Sequence, residues 1–239
     1  MELKDMIPRR KSVRKYTDEP VDEQTLQKIR HFLDAMQPLY PQIPVQAQIV
    51  EKEQVRFLLP WKTPQLVAVY SRNEEGYLEN VGFLFQQLDL YLQSIGLGCC
   101  WLGLGKMRRD VDREDREFVI LLAFGYPQTE ALRDGAAEFN RKTLLQISDQ
   151  EDPKLEPARL APSSTNSQPW YFTHAGDVIR AYCNKSGLLR HKMLGKMNRI
   201  DMGIALAHLY LSNIQTFRFF REENPAELEN YGYIGSFML

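Results

Sequence analysis

Residues 79–95 read ENVGFLFQQLDLYLQSI. Val81, Leu84, Phe85, Leu88, Leu92 and Ile95 recur at helical spacing on one face, and Phe83, Leu90 and Tyr91 widen it. The pattern predicts a long helix covered on more than one side. Gly96 follows where a left-handed residue closes a helix. The same rhythm returns in DMGIALAHLYLSNI, residues 201–214, apolar almost all round, which predicts a second central helix. Each stretch carries a glycine near its start and follows a pair of strand-like segments. The repetition suggests two related halves, 1–150 and 151–239. Two amphipathic helices of one α+β chain can also share such a rhythm by chance.

Strands are expected around these helices. FVILLAF, residues 118–124, is a continuous apolar run, as in a strand buried on both faces, and Gly125-Tyr126-Pro127 stops it. Val45–Val50, Gln65–Tyr70, Cys99–Leu102, Trp170–His174 and Val178–Tyr182 read as further strands, with a last one in the tail Tyr231–Leu239. Pro60 and Pro64 punctuate the path between the first two. A helix is expected from Asp22, its N-cap, to Met36, ended by Pro38, Pro41 and Pro44. Shorter helical pieces are expected near Lys142–Ile147 and Pro157–Leu160, the second broken by Pro162. Nothing reads as a linker.

The 239 residues are 44% hydrophobic and 26% charged, an ordinary globular balance. Thirty basic against 31 acidic side chains give a net charge of −1, which argues against a nucleic-acid partner. Three cysteines make no disulfide framework and suit a reducing compartment. The charged start MELKDMIPRRK lacks the apolar core of a secretory signal, and no segment suits a membrane span. A cytoplasmic protein is expected.

Several familiar motifs fail. Trp101 stands where the third glycine of GxGxxG would follow Gly96 and Gly98. Gly105-Lys106 lacks the rest of a phosphate loop. The histidines and cysteines show no metal-ligand spacing, so no metal is expected. Two polar clusters remain. In Arg9-Arg10-Lys11-Ser12-Val13-Arg14-Lys15, an extended chain would turn Arg10, Ser12 and Arg14 one way and Lys11 the other. Such a set can grip a phosphate; a short basic run can equally be solvated surface. In Ala161-Pro162-Ser163-Ser164-Thr165-Asn166-Ser167-Gln168-Pro169-Trp170, hydroxyls and amides could face a planar polar ligand, or simply form a turn.

Together these clusters resemble the nitroreductase family of FMN-dependent oxidoreductases. RRKSVRKYTDEPV (9–21) and APSSTNSQPWYF (161–172) are similar to its two signature segments. SIGLGCCWLG (94–103) is similar to a third. FGYP (124–127) followed by Arg141-Lys142 resembles its closing segment. In the usual arrangement the serine-asparagine segment closely follows the basic one. Here AMQPLYPQIPV stands there instead, and the intact copy comes about 120 residues later. The chain thus resembles the fused branch of the family, the TM nitroreductase type.

The resemblance implies an α+β sandwich of mainly antiparallel sheet flanked by helices, a single nitroreductase-like domain over 1–239. Its two diverged halves would form a pseudo-dimer within the chain. It implies FMN, with Arg10, Ser12, Arg141 and Lys142 at the phosphate and Lys11 or Arg14 at the N1/C2 edge of the ring. Leu102 and Gly103 would offer backbone groups at the N5/O4 edge. Pro162, Ser163, Ser164 and Asn166 would meet the ring and ribityl chain from the other half. NAD(P)H would supply electrons for a small acceptor such as a nitroaromatic or quinone. The alternative is a flavin-binding storage or sensing protein without turnover. No catalytic side chain is required. Cys100 reads as a small buried apolar residue. One FMN per chain and a monomer are expected, because the basic segment occurs once and both central helices lie in one chain.

Overall fold

Asp22 begins the first long helix: its carboxylate accepts the Thr25 backbone N–H at 3.0 Å and the Thr25 hydroxyl at 2.7 Å, the N-cap the sequence announced. A computed structural model describes residues 2–56, 65–109, 115–185 and 188–239. Pro60 and Pro64 lie outside the described residues. The chain clusters into two compact units. One comprises Met1–Tyr77 with Gln87–Gly135, the other Leu78–Gln86 with Ala136–Leu239.

The first unit holds α1 (Glu23–Ala35), β1 (Val45–Glu51), β2 (Val55–Arg56) and β3 (Gln65–Ser71). It continues with the second half of α2 (Tyr77–Ser94), then β4 (Gly98–Leu102), β5 (Lys106–Met107) and β6 (Glu117–Gly125). Four strands form one antiparallel sheet in the order β1-β3-β6-β4, and β2 pairs with β5 apart from it. The FVILLAF run is β6, flanked by β3 and β4 and buried from Val119 onward. Leu66, Ala68 and Tyr70 of β3 share a face with Leu121 and Ala123 of β6 and Cys100 and Leu102 of β4. Val13 and Tyr16 close over that face. Helix α2 is buried on every side from Glu79 to Leu90. It ends as Gly96 predicts: Gly96 has φ +85°, its N–H donates to the Gln93 carbonyl, and the Leu97 N–H donates to the Leu92 carbonyl. Ile95, expected on the buried face, is 38% exposed because the helix has already closed at Ser94.

The second unit holds α3 (Leu144–Ile147), α4 (Glu156–Arg159), β7 (Trp170–Ala175) and β8 (Val178–Asn184), then α5 (Leu188–Ser212), β9 (Arg218–Phe220) and β10 (Tyr231–Met238). Its sheet is antiparallel in the order β7-β8-β10-β9, and α5 packs against β7 and β8. Helix α5 begins well before Asp201. The basic residues and Gly195 ahead of Asp201 hide that extension from an apolar-rhythm reading. β9 is three residues long, too short for any period to show.

The two sheets repeat one pattern. Each runs strand, strand, long helix, strand, strand, and each places its fourth strand between its second and third. The helices also meet reciprocally within the second unit. A Cβ at Gly82 would lie on the Ile200 carbonyl, and a Cβ at Gly203 would lie on the Glu79 carbonyl. Each glycine thus touches the residue three positions before the other, the geometry of a local two-fold crossing.

Candidate functional site

The basic segment owes its course to β4. Val13 N–H donates to the Cys99 carbonyl at 2.9 Å, and Ser12 bridges to Cys99 in parallel. Gly98 makes this approach possible, since a Cβ there would sit 2.6 Å from Val13 Cβ. The buried Tyr16 hydroxyl donates to the Val13 carbonyl at 2.7 Å and pins the far end. The segment is extended, as expected, but its cations are not equivalent. Arg10 is 2% exposed, whereas Lys11 and Arg14 are exposed and Ser12 is half-buried.

Arg10 is committed inside the protein. Its Nε lies 3.0 Å from Oδ2 of Asp89, a fully buried carboxylate on α2. Its Nη2 donates to Ser12 Oγ at 3.1 Å, and its carbonyl accepts from the Arg133 guanidinium. Among the described residues no carboxylate pairs with Lys11 Nζ or the Arg14 guanidinium. Beyond them, Leu102 buries its side chain in the core, and the turn Gly103-Leu104 is exposed. Cys100 is buried, and burial pushes its thiol up, which keeps it protonated near neutral pH.

The serine-asparagine segment is a strained turn in the second unit. Thr165, Asn166 and Gln168 have φ of 53°, 57° and 47°. A left-handed conformation costs a non-glycine residue about 1–3 kcal/mol unless its surroundings impose it, and threonine, being β-branched, adopts it rarely. The surroundings here are dense. Ser163 Oγ accepts the Gln168 N–H at 2.9 Å, and the Gln168 amide oxygen accepts the Lys142 N–H at 2.8 Å. Lys142 Nζ donates to the Gln168 carbonyl at 2.9 Å, and partial burial lowers its pKa. Arg141 donates to Asn166 Oδ1 at 2.6 Å and to the Ala161 carbonyl at 3.1 Å. The Ser164 N–H donates to Asp201 Oδ2 at 3.0 Å, and burial pushes that carboxyl up to about 8. Pro162 is buried at the base of the turn, and Asn166 is exposed at its tip.

The structure therefore gathers the expected residues into two groups. Arg10, Lys11, Ser12 and Arg14 lie along β4, whose end carries Leu102 and Gly103. Arg141 and Lys142 brace the turn of Pro162, Ser163, Ser164 and Asn166. Sequence reasoning missed Asp89, Gln93 and Asp201. Asp89 did carry a signal, as a carboxylate in the middle of an apolar helix.

The family model described as "Putative TM nitroreductase" matches residues 2–213, and the chain belongs to that family. It is, with that family, an oxidoreductase. Its α+β fold of antiparallel sheets flanked by helices is nitroreductase-like. A structure from Thermotoga maritima described as a "putative nitroreductase" is 18% identical, with a TM-score of 0.66, over 99% of this chain and 92% of that one. A nitroreductase family protein from Clostridium novyi is 18% identical, with a TM-score of 0.45, over 54% of this chain and 86% of that one. An FMN-dependent nitroreductase from Clostridium difficile is 15% identical, with a TM-score of 0.45, over 59% of this chain and 98% of that one. A search of the curated proteins returned no match. Among the described residues no helix is long and apolar enough to cross a membrane.

Proposed function

We propose that the protein is an FMN-dependent oxidoreductase that passes electrons from NAD(P)H to a small acceptor such as a nitroaromatic or quinone. The observation that carries this reading is the donor set at residues 11–14. Two exposed cations, Lys11 and Arg14, stand close in sequence to a hydroxyl that accepts from a buried guanidinium. Ser12 Oγ accepts from Arg10, which leaves its own proton to donate. A phosphate, an acceptor of charge near −2, suits these groups in number and sign. The residues present fit FMN, which when bound would supply the hydride-accepting chemistry.

The chain's own residues have simpler tasks. Lys11 and Ser12 bind the phosphate, and Arg14 the electron-rich edge of the ring. Arg10 orients Ser12. Leu102 and Gly103 offer backbone groups at the end of β4. In the second unit, Arg141 and Lys142 fix the strained shape of the turn Ser163–Asn166. No side chain need move a proton. The chain is read as two diverged copies of one unit, supported by the shared strand order and the reciprocal glycines, and both central helices are supplied by one chain. One FMN per chain and a monomer follow, because the basic segment occurs once.

The test is turnover by the purified protein. NADH or NADPH oxidation that starts on adding a quinone, with saturable kinetics, supports the reading. Flavin uptake without electron transfer to any acceptor would leave a binding protein in its place.

A further inference from the structure

Asp89 interrupts an apolar helix and is wholly buried, yet nothing in the electron-transfer reading uses it. A carboxylate in a core is costly unless it is paired and hydrogen-bonded. Asp89 is both. One oxygen faces Arg10 Nε at 3.0 Å, and the other accepts Gln93 Nε2 at 2.7 Å. Asp89 and Gln93 are four residues apart, hence neighbours on one helix face. The chain of contacts then runs outward. Gln93 Oε1 accepts the Lys11 backbone N–H at 2.8 Å, and Arg10 Nη2 donates to Ser12 Oγ. Two consecutive residues of the basic segment, Arg10 and Lys11, are thus tied to two side chains of α2, and Ser12 is tied to Arg10.

We propose that Asp89 is a positioning residue for the phosphate-binding segment: by holding Arg10 and Gln93 it fixes Ser12 and Lys11 to receive FMN in preference to riboflavin. The inference rests on the FMN reading. Asp89 touches no ligand. It cancels the charge of Arg10, so the cations presented outward are Lys11 and Arg14, and it shapes the grip before the phosphate arrives. Preorganisation of this kind adds affinity by removing the cost of ordering on binding. Riboflavin has the same ring and ribityl chain but no phosphate, so the ordering of residues 10–12 matters little to it.

The experiment titrates flavin-free, full-length protein with FMN and with riboflavin, following the quenching of flavin fluorescence. Asp89→Asn keeps the side-chain shape and removes the charge. It is expected to weaken FMN binding on the order of tenfold, the size of one charged hydrogen bond, and riboflavin binding by less than about twofold. In a Ser12→Ala background the same substitution should cost FMN less than it does in the wild type, because the route through Arg10 is cut and only the one through Gln93 remains. Equal losses for both flavins would mean that Asp89 only stabilises the fold, and would overturn the inference. So would FMN binding that is unchanged or tighter. If Asp89→Asn does not fold, Gln93→Ala keeps the ion pair and should show the same FMN-selective loss, and its absence overturns the inference. Wild-type protein that binds neither flavin overturns the FMN reading itself, and this inference with it.

Discussion

Burial raises the Asp201 carboxyl to about 8, against an ordinary value of 3.8. The folded state therefore holds a proton that the unfolded chain has released between about pH 4 and pH 8. Stability from this group is fully present below that window, falls as pH rises through it, and levels off above pH 8. Asp201→Asn keeps an acceptor for the Ser164 N–H and cannot ionise. Its melting temperature should therefore gain on wild type as pH rises from 4 to 8, which thermal melts across that range check directly. Arg10 and Arg9 should differ sharply in the other sense. Arg10→Ala strands a buried Asp89 and should cost about 3–5 kcal/mol in urea unfolding. Arg9 is exposed, and Arg9→Ala should stay within about 0.5 kcal/mol. Lys11→Ala and Arg14→Ala should leave stability nearly unchanged and weaken FMN binding about tenfold each in a fluorescence titration, with the loss shrinking as salt rises. The basic run and the serine-asparagine turn were legible in the sequence because their polar groups are contiguous. Asp89 and Asp201 were not legible as site residues, since each meets its partner only through the fold. The difference between Arg10 and Arg14 follows from that same hidden carboxylate.

The helix crossing gives the clearest test at the level of elements. Gly82→Ala or Gly203→Ala drives a methyl into a backbone carbonyl of the opposing helix, which no rotamer change relieves. Either should cost about 3 kcal/mol or more, read as a lower urea midpoint at an unchanged slope. Gly96 offers the contrast. A Cβ there meets nothing within 4 Å, so Gly96→Ala should cost only about 1 kcal/mol, for its left-handed φ. The elements themselves were largely readable. β6 showed as an uninterrupted apolar run, α1 by its cap, and α2 by its stripe and closing glycine. The early start of α5 was not, because apolar periodicity is blind to a stretch that mixes basic and apolar residues. The pairing of β2 with β5 and the short β9 depend on tertiary partners rather than on any local period.

At the scale of the molecule, the central claim is that one chain carries one FMN. The two sheets share an order, and both halves supply a long helix with a matched glycine. Only the first half carries the basic segment, and only the second carries the serine-asparagine turn. An undiverged pair would carry each motif twice and bind two flavins. The most direct measurement is the visible absorption spectrum of the purified protein, with chromatography of the released cofactor and its molar ratio to chain, taken alongside light scattering. The account predicts a yellow monomer that releases FMN at one per chain. A colourless protein that fails to take up added FMN at micromolar concentrations, or one that binds two flavins per chain, would contradict it.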